Sequence, residues 1–303
     1  FYVKGSDYST EKGDEAGNLK KEKAALKKIG GKFIITSGRQ FSSTKIINEK
    51  INFTNLTDNK WLRKIQSESI KKNFLQNFND VIKKIKNQKI LVIGEIIFDE
   101  YNYVDPLGKP SKENILSVNF NKKEDFLGGA LPTLKNISEV CNNLTFLSIY
   151  NNENIAKKIN RYFKSSKINF KLFKKKKFKD IVKKRYLNNI SLSKIFEVYE
   201  FNNNDFYDEE IYSYLNKNLK KFDQVIVCDF GHGLINKKTA NLLSKKSKFI
   251  SANIQTNSGN RGYNLFTKYP NLDFLSLDEP EIRLGVHDRD SHLNQIISKL
   301  SKQ

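Results

Sequence analysis

Glu95, Asp99, Asp229, Asn253, Asp278 and Glu281 each fall at or just after the end of an apolar run. Oxygen-rich side chains in such places can grip hydroxyl groups or hold a hard cation against phosphate. Any one of them is explained by a strand ending in a polar turn. The whole set is explained more easily by one shared site. A Gly-Gly pair, Gly128–Gly129, precedes the helical-looking run "LPTLKNISEVCNN". Bare backbone lets a ligand come close, and a helix N-terminus favours negative or hydroxyl-rich partners. Pro132 suits an early helical position. Asn136, about two turns past Gly129, can reach the same cleft. By itself the Gly-Gly pair reads as a turn; with the carboxylates it describes a cleft suited to a hydroxyl-rich or anionic ligand.

The elements that must position them follow from the apolar pattern. "ILVIG" (90–94) is a continuous apolar run of the kind found in buried parallel strands. "FDQVIVCDFGHGLI" (222–235), "KFISANIQ" and "NLDFLSLDE" repeat the plan of apolar strand and polar end. Helical segments such as "NKKTANLLSKKS" lie between them, so the expected fold is α/β with a doubly wound parallel sheet. In such sheets ligands sit beyond the carboxyl ends of the strands. Residues 115–127 and 183–201 alternate in patches and read as strands partly open to solvent. With 101–125 they are expected to form a small lid, or a dimer surface.

Upstream, residues 51–87 read as a polar helical connector with Ile70, Phe74, Phe78, Ile82 and Ile85 at helical spacing. Residues 1–50 read as the tail of another α/β unit. "FYVKG" and "KFIITSG" are its strands, and "NLKKEKAALKKIGG" is a helix ended by glycine. Ser42, Ser43 and Thr44 are N-cap candidates for a following helix.

Apolar residues make up 38% of the 303-residue chain, enough for a core, and no apolar run is long enough to span a membrane. The net charge of +21 raises a nucleic-acid partner. Lysine greatly outnumbers arginine and is spread along the chain, so the charge reads instead as lysine-, asparagine- and isoleucine-rich composition. Cys141 and Cys228 lie far apart in apolar surroundings and read as reduced, buried thiols of a cytoplasmic protein.

The order of elements resembles the PfkB (ribokinase-like) carbohydrate kinases, and within them the heptose-phosphate kinases of nucleotide-sugar synthesis. The resemblance is carried by "ILVIGEIIFDEY" (90–101), "FLGGALPTLKN" (126–136), "VKKRYL" (182–187), "VIVCDFGHGLI" (225–235) and "LSLDEPE" (275–281). It implies a ribokinase-like doubly wound sheet with a small β lid over residues 88–303. It also implies phosphorylation of a sugar or sugar phosphate by ATP with Mg2+, by a homodimer. Asp99, Gly128, Gly129 and Asn136 would then hold the sugar, and Arg185 would lie near a substrate phosphate. Asp229, Asn253, Asp278 and Glu281 would serve ATP and its phosphates, with Glu281 acting on magnesium indirectly. Pro132, His232 and Asp278 stand where the family has Asn, Lys and Asn.

Residues 1–50 resemble the last third of a cytidylyltransferase-like nucleotidyltransferase, a partial Rossmann-like unit. "VKGSDY" and "FSSTKIIN" carry that likeness, and Lys4, Ser42, Ser43 and Thr44 would hold nucleotide phosphates of CTP or ATP. The families' His-x-Gly-His element is expected upstream of Phe1. Their Gly-Ala-Gly-Asp turn, with the catalytic base, is expected beyond Gln303. The chain therefore reads as an internal fragment of a bifunctional sugar kinase and nucleotidyltransferase, inactive by itself. The alternatives are a kinase of another small sugar with a vestigial N-terminal part, or a basic nucleic-acid-binding protein.

"GVHDRDSH" (285–292) gathers His287, Asp288, Asp290 and His292. It reads as an exposed turn in which Asp290 or Ser291 caps the last helix, rather than as a metal site. "NSGNRGYN" (257–264) reads as a loop near the cleft, and Trp61 as a packing anchor.

Overall fold

The computed structural model describes residues 1–4, 19–35, 64, 67–68, 73–201 and 207–301. The chain divides into two units, Phe1–Asn77 and Phe78–Gln303. In the first, strands β1 (Tyr2–Lys4) and β2 (Phe33–Ile35) pair in parallel, Tyr2 beside Phe33. Parallel neighbours need a crossover, and the helix Leu19–Lys28 lies between them in the chain. Lys4 forms an ion pair with Glu22 of that helix at 2.5 Å. Ser42, Ser43, Thr44, Trp61 and the Gly5–Tyr8 part of "VKGSDY" lie outside the described residues.

Among its described residues the second unit has ten strands: β3 (Lys89–Gly94), β4 (Ile96–Gly108), β5 (Ser117–Gly129), β6 (Asn143–Tyr150), β7 (Ile168–Lys174), β8 (Ile181–Asn188), β9 (Lys194–Glu200), β10 (Gln224–Asp229), β11 (Ile250–Ile254) and β12 (Phe274–Ser276). Six of them make a sheet in the order β12-β11-β10-β3-β6-β7, every pair parallel. The other four make a second sheet in the order β5-β4-β8-β9. The separate β sheet anticipated from the alternating segments is therefore present. Residues 183–201 are not one strand but part of the β8–β9 hairpin. Asn188 Oδ1 accepts the Ile190 and Ser191 N–H groups in its turn.

The apolar runs are continuous because both faces of the parallel sheet are covered. Leu91, Ile93, Val225, Val227, Ile250, Ala252 and Ile254 belong to one buried cluster. Ile90, Val92, Phe146 and Cys228 belong to the other. Successive residues face opposite sides of a strand, so Asp229 follows Val227 toward the first cluster's side. The lysine-rich 171–180 stretch begins in β7, which is an edge of the sheet. Charge on an edge strand hinders strand addition. Both cysteines are buried and unpaired. Among the described residues no helix is long and apolar enough to cross a membrane.

One residue, Glu95, separates β3 of the large sheet from β4 of the small one. This short link places Asp99 only a few residues from the carboxyl end of β3.

Candidate active site

The small sheet presents a patterned face. In register, Asp99 of β4 stands beside Phe126 of β5 and Lys183 of β8, and Lys183 stands beside Tyr199 of β9. The next row on that face holds Glu124, Tyr101, Arg185 and Glu197. Arg185 pairs with Asp99 through Nη1 and with Glu197 through Nε, at 3.1 Å for the second. Its guanidinium also lies over the Tyr101 ring, 5.4 Å from the centroid. A Cβ on Gly128 would collide with Asp99 Oδ2. The bare backbone is what leaves room for this carboxylate. Gly129 has φ +64 and would drive a Cβ into the Glu95 carbonyl. That same carbonyl accepts the Ala130 N–H at 2.9 Å, so the turn ties the helix Ala130–Ser138 to the end of β3. Asp99, Gly128, Gly129 and Arg185 are thus placed near one another on β4, β5 and β8.

Asn136 is not brought into this group by any hydrogen bond. It lies on the exposed side of its helix, as does Pro132. Asn253 is also apart. It is in register with Cys228, on the opposite face from Asp229, and its amide donates to the Ser276 carbonyl at 3.0 Å.

Behind the face lies a buried charge cluster. Glu95 is fully buried and accepts the Phe230 N–H at 3.0 Å and the His232 N–H at 3.2 Å. Burial first, then the charge of Asp229, pushes the Glu95 carboxyl up to about 7. Asp229 is equally buried. Its Oδ2 accepts from Tyr269 OH and Lys268 Nζ, both at 2.6 Å, and its Oδ1 accepts the Gly231 N–H at 3.0 Å. Through these bonds Asp229 holds the 229–233 loop in shape.

His232 is buried against that loop, hydrogen-bonded through Nε2 to Tyr199 OH. The rings of Tyr199 and Phe201 lie 5.2 Å from it. Burial, then the charge of Lys183, pushes His232 down to about 4. Its Nδ1 has no hydrogen-bond partner among the described residues. The 257–264 loop is stitched beneath by asparagines that sequence reading had left unassigned. Asn257 and Asn260 amides donate to the Phe230 carbonyl at 2.8 and 2.9 Å. The Asn264 amide donates to the Asp229 carbonyl at 3.2 Å. A run of Asn and Gly signals a turn, but nothing local tells that its amides serve carbonyls some thirty residues upstream.

Asp278 and Glu281 form a reciprocal cap on the helix Glu279–Val286. Glu281 Oε2 accepts the Asp278 N–H and Oε1 accepts the Thr256 N–H, each at 2.9 Å. Glu281 is buried and each of its oxygens accepts a backbone N–H, so it fixes the turn. Asp278 remains exposed. Among the described residues no three His, Cys, Asp or Glu side chains are grouped as a metal-ligand set. Replacing Glu281 with Ala is expected to cost about 2 kcal/mol, because two backbone N–H groups lose their acceptor. Glu281→Gln, which keeps one acceptor, should cost about half as much, both read from denaturant melts. The last helix is capped by His292 Nδ1, which accepts the Asn294 N–H at 3.4 Å, and not by Asp290 or Ser291. Asp288 Oδ1 instead accepts the Asp290 and Ser291 N–H groups within the turn.

No protein-family model matches the chain. The bifunctional protein HldE of Aliarcobacter butzleri is 24% identical over 219 residues, covering 70% of this chain. The chain spans 45% of that relative's length. Among solved structures, ribokinase from Giardia lamblia superimposes with a TM-score of 0.54 at 16% identity, covering 71% of this chain and 65% of that one. Arabidopsis thaliana ribokinase complexed with ribose and ATP gives 0.50 at 10% identity, covering 71% and 68%. The second unit has the ribokinase-like fold, a mostly parallel α/β sheet with a small β sheet beside it.

Proposed function

We propose, on the premise of that ribokinase-like fold, that this chain belongs to a carbohydrate kinase that moves a phosphoryl group from ATP to a hydroxyl of a sugar or heptose-like sugar phosphate. The observation that carries the reading is the seating of the Asp99 carboxylate over the bare Gly128 backbone, at the mouth of the parallel sheet. A carboxylate accepts hydroxyl hydrogens well, and a glycine floor lets a sugar ring lie close. The 24% identity to a bifunctional protein named HldE supports the heptose-like class. It also supports a nucleotidyltransferase role for the first unit, which would join the phosphorylated sugar to a nucleotide from CTP or ATP.

ATP would meet the turns after β10, β11 and β12, which Asp229, the asparagine loop and Glu281 hold in shape. Magnesium would arrive with the nucleotide phosphates and be held at the exposed Asp278, with Glu281 positioning the turn. The protein is read as a cytoplasmic homodimer.

Binding tests the reading without turnover. The protein should gain about 5 °C in melting temperature at saturating sugar phosphate. Asp99→Ala should weaken that ligand at least about tenfold, the loss of a hydrogen bond to a charged group. A melting temperature unmoved by sugars, sugar phosphates and Mg-ATP would remove the proposal.

A further inference from the structure

Lys183 is a basic residue on the patterned face, beside Arg185 in the next row. Around it, charges are matched. Arg185 has Asp99 and Glu197, Lys122 has Glu124, Lys123 has Glu100 and Asp125, and Lys184 has Glu200. The Lys183 ammonium makes no ion pair or hydrogen bond with any described residue. It lies over the Tyr199 ring, 4.5 Å from the centroid. Burial first, with Arg185 nearby, pushes its pKa below the ordinary lysine value, against the opposing charges of Glu197 and Asp99. An unpaired, partly desolvated ammonium is costly to hold, and a site that keeps one is arranged for an anion.

The surroundings say where that anion sits. Lys183 is flanked in register by Asp99 on one side and Tyr199 on the other. Tyr199 reaches His232 on the loop after β10, and His232 feels the charge of Lys183. The buried Nδ1 of that histidine is also without a partner among the described residues. Lys183 therefore stands between the carboxylate that would hold sugar hydroxyls and the loop on the donor side.

We propose that Lys183 binds a phosphoryl group in this site, carried on the small sheet and placed between the Asp99 end and the His232 end. The inference rests on the carbohydrate-kinase reading and adds a residue to it. The phosphoryl group can be the sugar's own or the one arriving on ATP.

The test compares the wild-type protein with Lys183→Met and Lys183→Arg. Melting temperatures and dissociation constants are measured with inorganic phosphate, ribose, ribose 5-phosphate and Mg-ATP as probes. Without ligand, Lys183→Met is expected to melt at or above the wild-type temperature, since it removes an unpaired charge and keeps the side-chain volume. A lysine kept for structure would show a drop instead, which would overturn the proposal. With ligand, Lys183→Met should bind phosphorylated probes at least about tenfold more weakly, the scale of one charged hydrogen bond. Ribose should change less than about twofold, and Lys183→Arg should keep most of the phosphate response. A loss confined to ribose 5-phosphate assigns the sugar's phosphate, and a loss confined to Mg-ATP assigns the donor's. Equal binding of every probe by wild type and Lys183→Met overturns the proposal while leaving the kinase reading intact. A wild-type protein that binds none of the probes removes both.

Discussion

Glu95→Gln and His232→Phe are expected to tilt the pH dependence of stability in opposite directions, each by about 3 kcal/mol relative to wild type. The Glu95 carboxyl rises from 4.5 to about 7 on folding. Between those values the native state holds a proton that the unfolded chain has released. This group therefore favours folding at low pH, and its contribution is lost as pH rises from about 4.5 to 7. His232 behaves in reverse. Its pKa falls from 6.5 to about 4, so between those values the unfolded chain holds the proton. Its contribution is fully present above about 6.5 and is lost as pH falls toward 4. The two windows nearly coincide, and in the wild type their slopes offset each other. Glu95→Gln leaves the histidine slope exposed, so its stability relative to wild type should climb between about pH 4.5 and 7. His232→Phe leaves the glutamate slope, and its relative stability should fall over about pH 4 to 6.5. Urea melts at half-unit pH steps give the difference profiles. Flat profiles for both variants would mean that neither group is perturbed as described.

How much of this was legible beforehand depends on where each residue's partner lies. The parallel sheet could be read because its strands are buried on both faces, and a run such as Ile90–Ile93 has no polar break. Asp99, Gly128 and Arg185 are grouped by the resemblance to PfkB kinases alone; that β5 returns along β4 and β8 follows β4 in register is seen in the structure and not in the sequence. Asp229 and Glu281 looked like the same kind of residue: acidic, and at a strand end. Their difference from Asp99 comes from partners far along the chain. Tyr269 closes over Asp229 from 40 positions away, and the Thr256 N–H comes to Glu281 from 25 positions away. Strand-end placement marks where a carboxylate sits but not whether its oxygens stay free. Lys183 was hidden for another reason. In "KKRY" nothing local separates it from Lys184, yet strand alternation sends Lys184 to Glu200 on one face and Lys183 to Tyr199 on the other.

Lys268→Met should be the most damaging single change in the cluster beneath the site. Lys268 Nζ donates to Asp229 Oδ2 at 2.6 Å, to Asn264 Oδ1 at 2.7 Å and to the Ile235 carbonyl at 2.8 Å. Methionine fills similar volume but supplies no donor, so the packing cost is small and the electrostatic cost dominates. Asp229 would remain buried beside Glu95 with only Tyr269 OH and the Gly231 N–H to satisfy it. Removing one partner of a buried ion pair costs about 3–5 kcal/mol. Lys268 keeps some solvent access, with 17% of its side chain exposed against 0% for Asp229, so the lower end, about 3 kcal/mol, is expected. That is a large share of a typical domain stability of about 5–15 kcal/mol. Asp229→Asn with Lys268→Met removes both charges together and should recover part of the loss, since no lone buried charge remains. Equilibrium urea melts of the two single variants and the double give the coupling directly. A Lys268→Met cost below about 1 kcal/mol would show that Asp229 does not depend on this cation. The 229–233 loop, and the His232 contact to the small sheet, would then be held by the asparagine bonds alone.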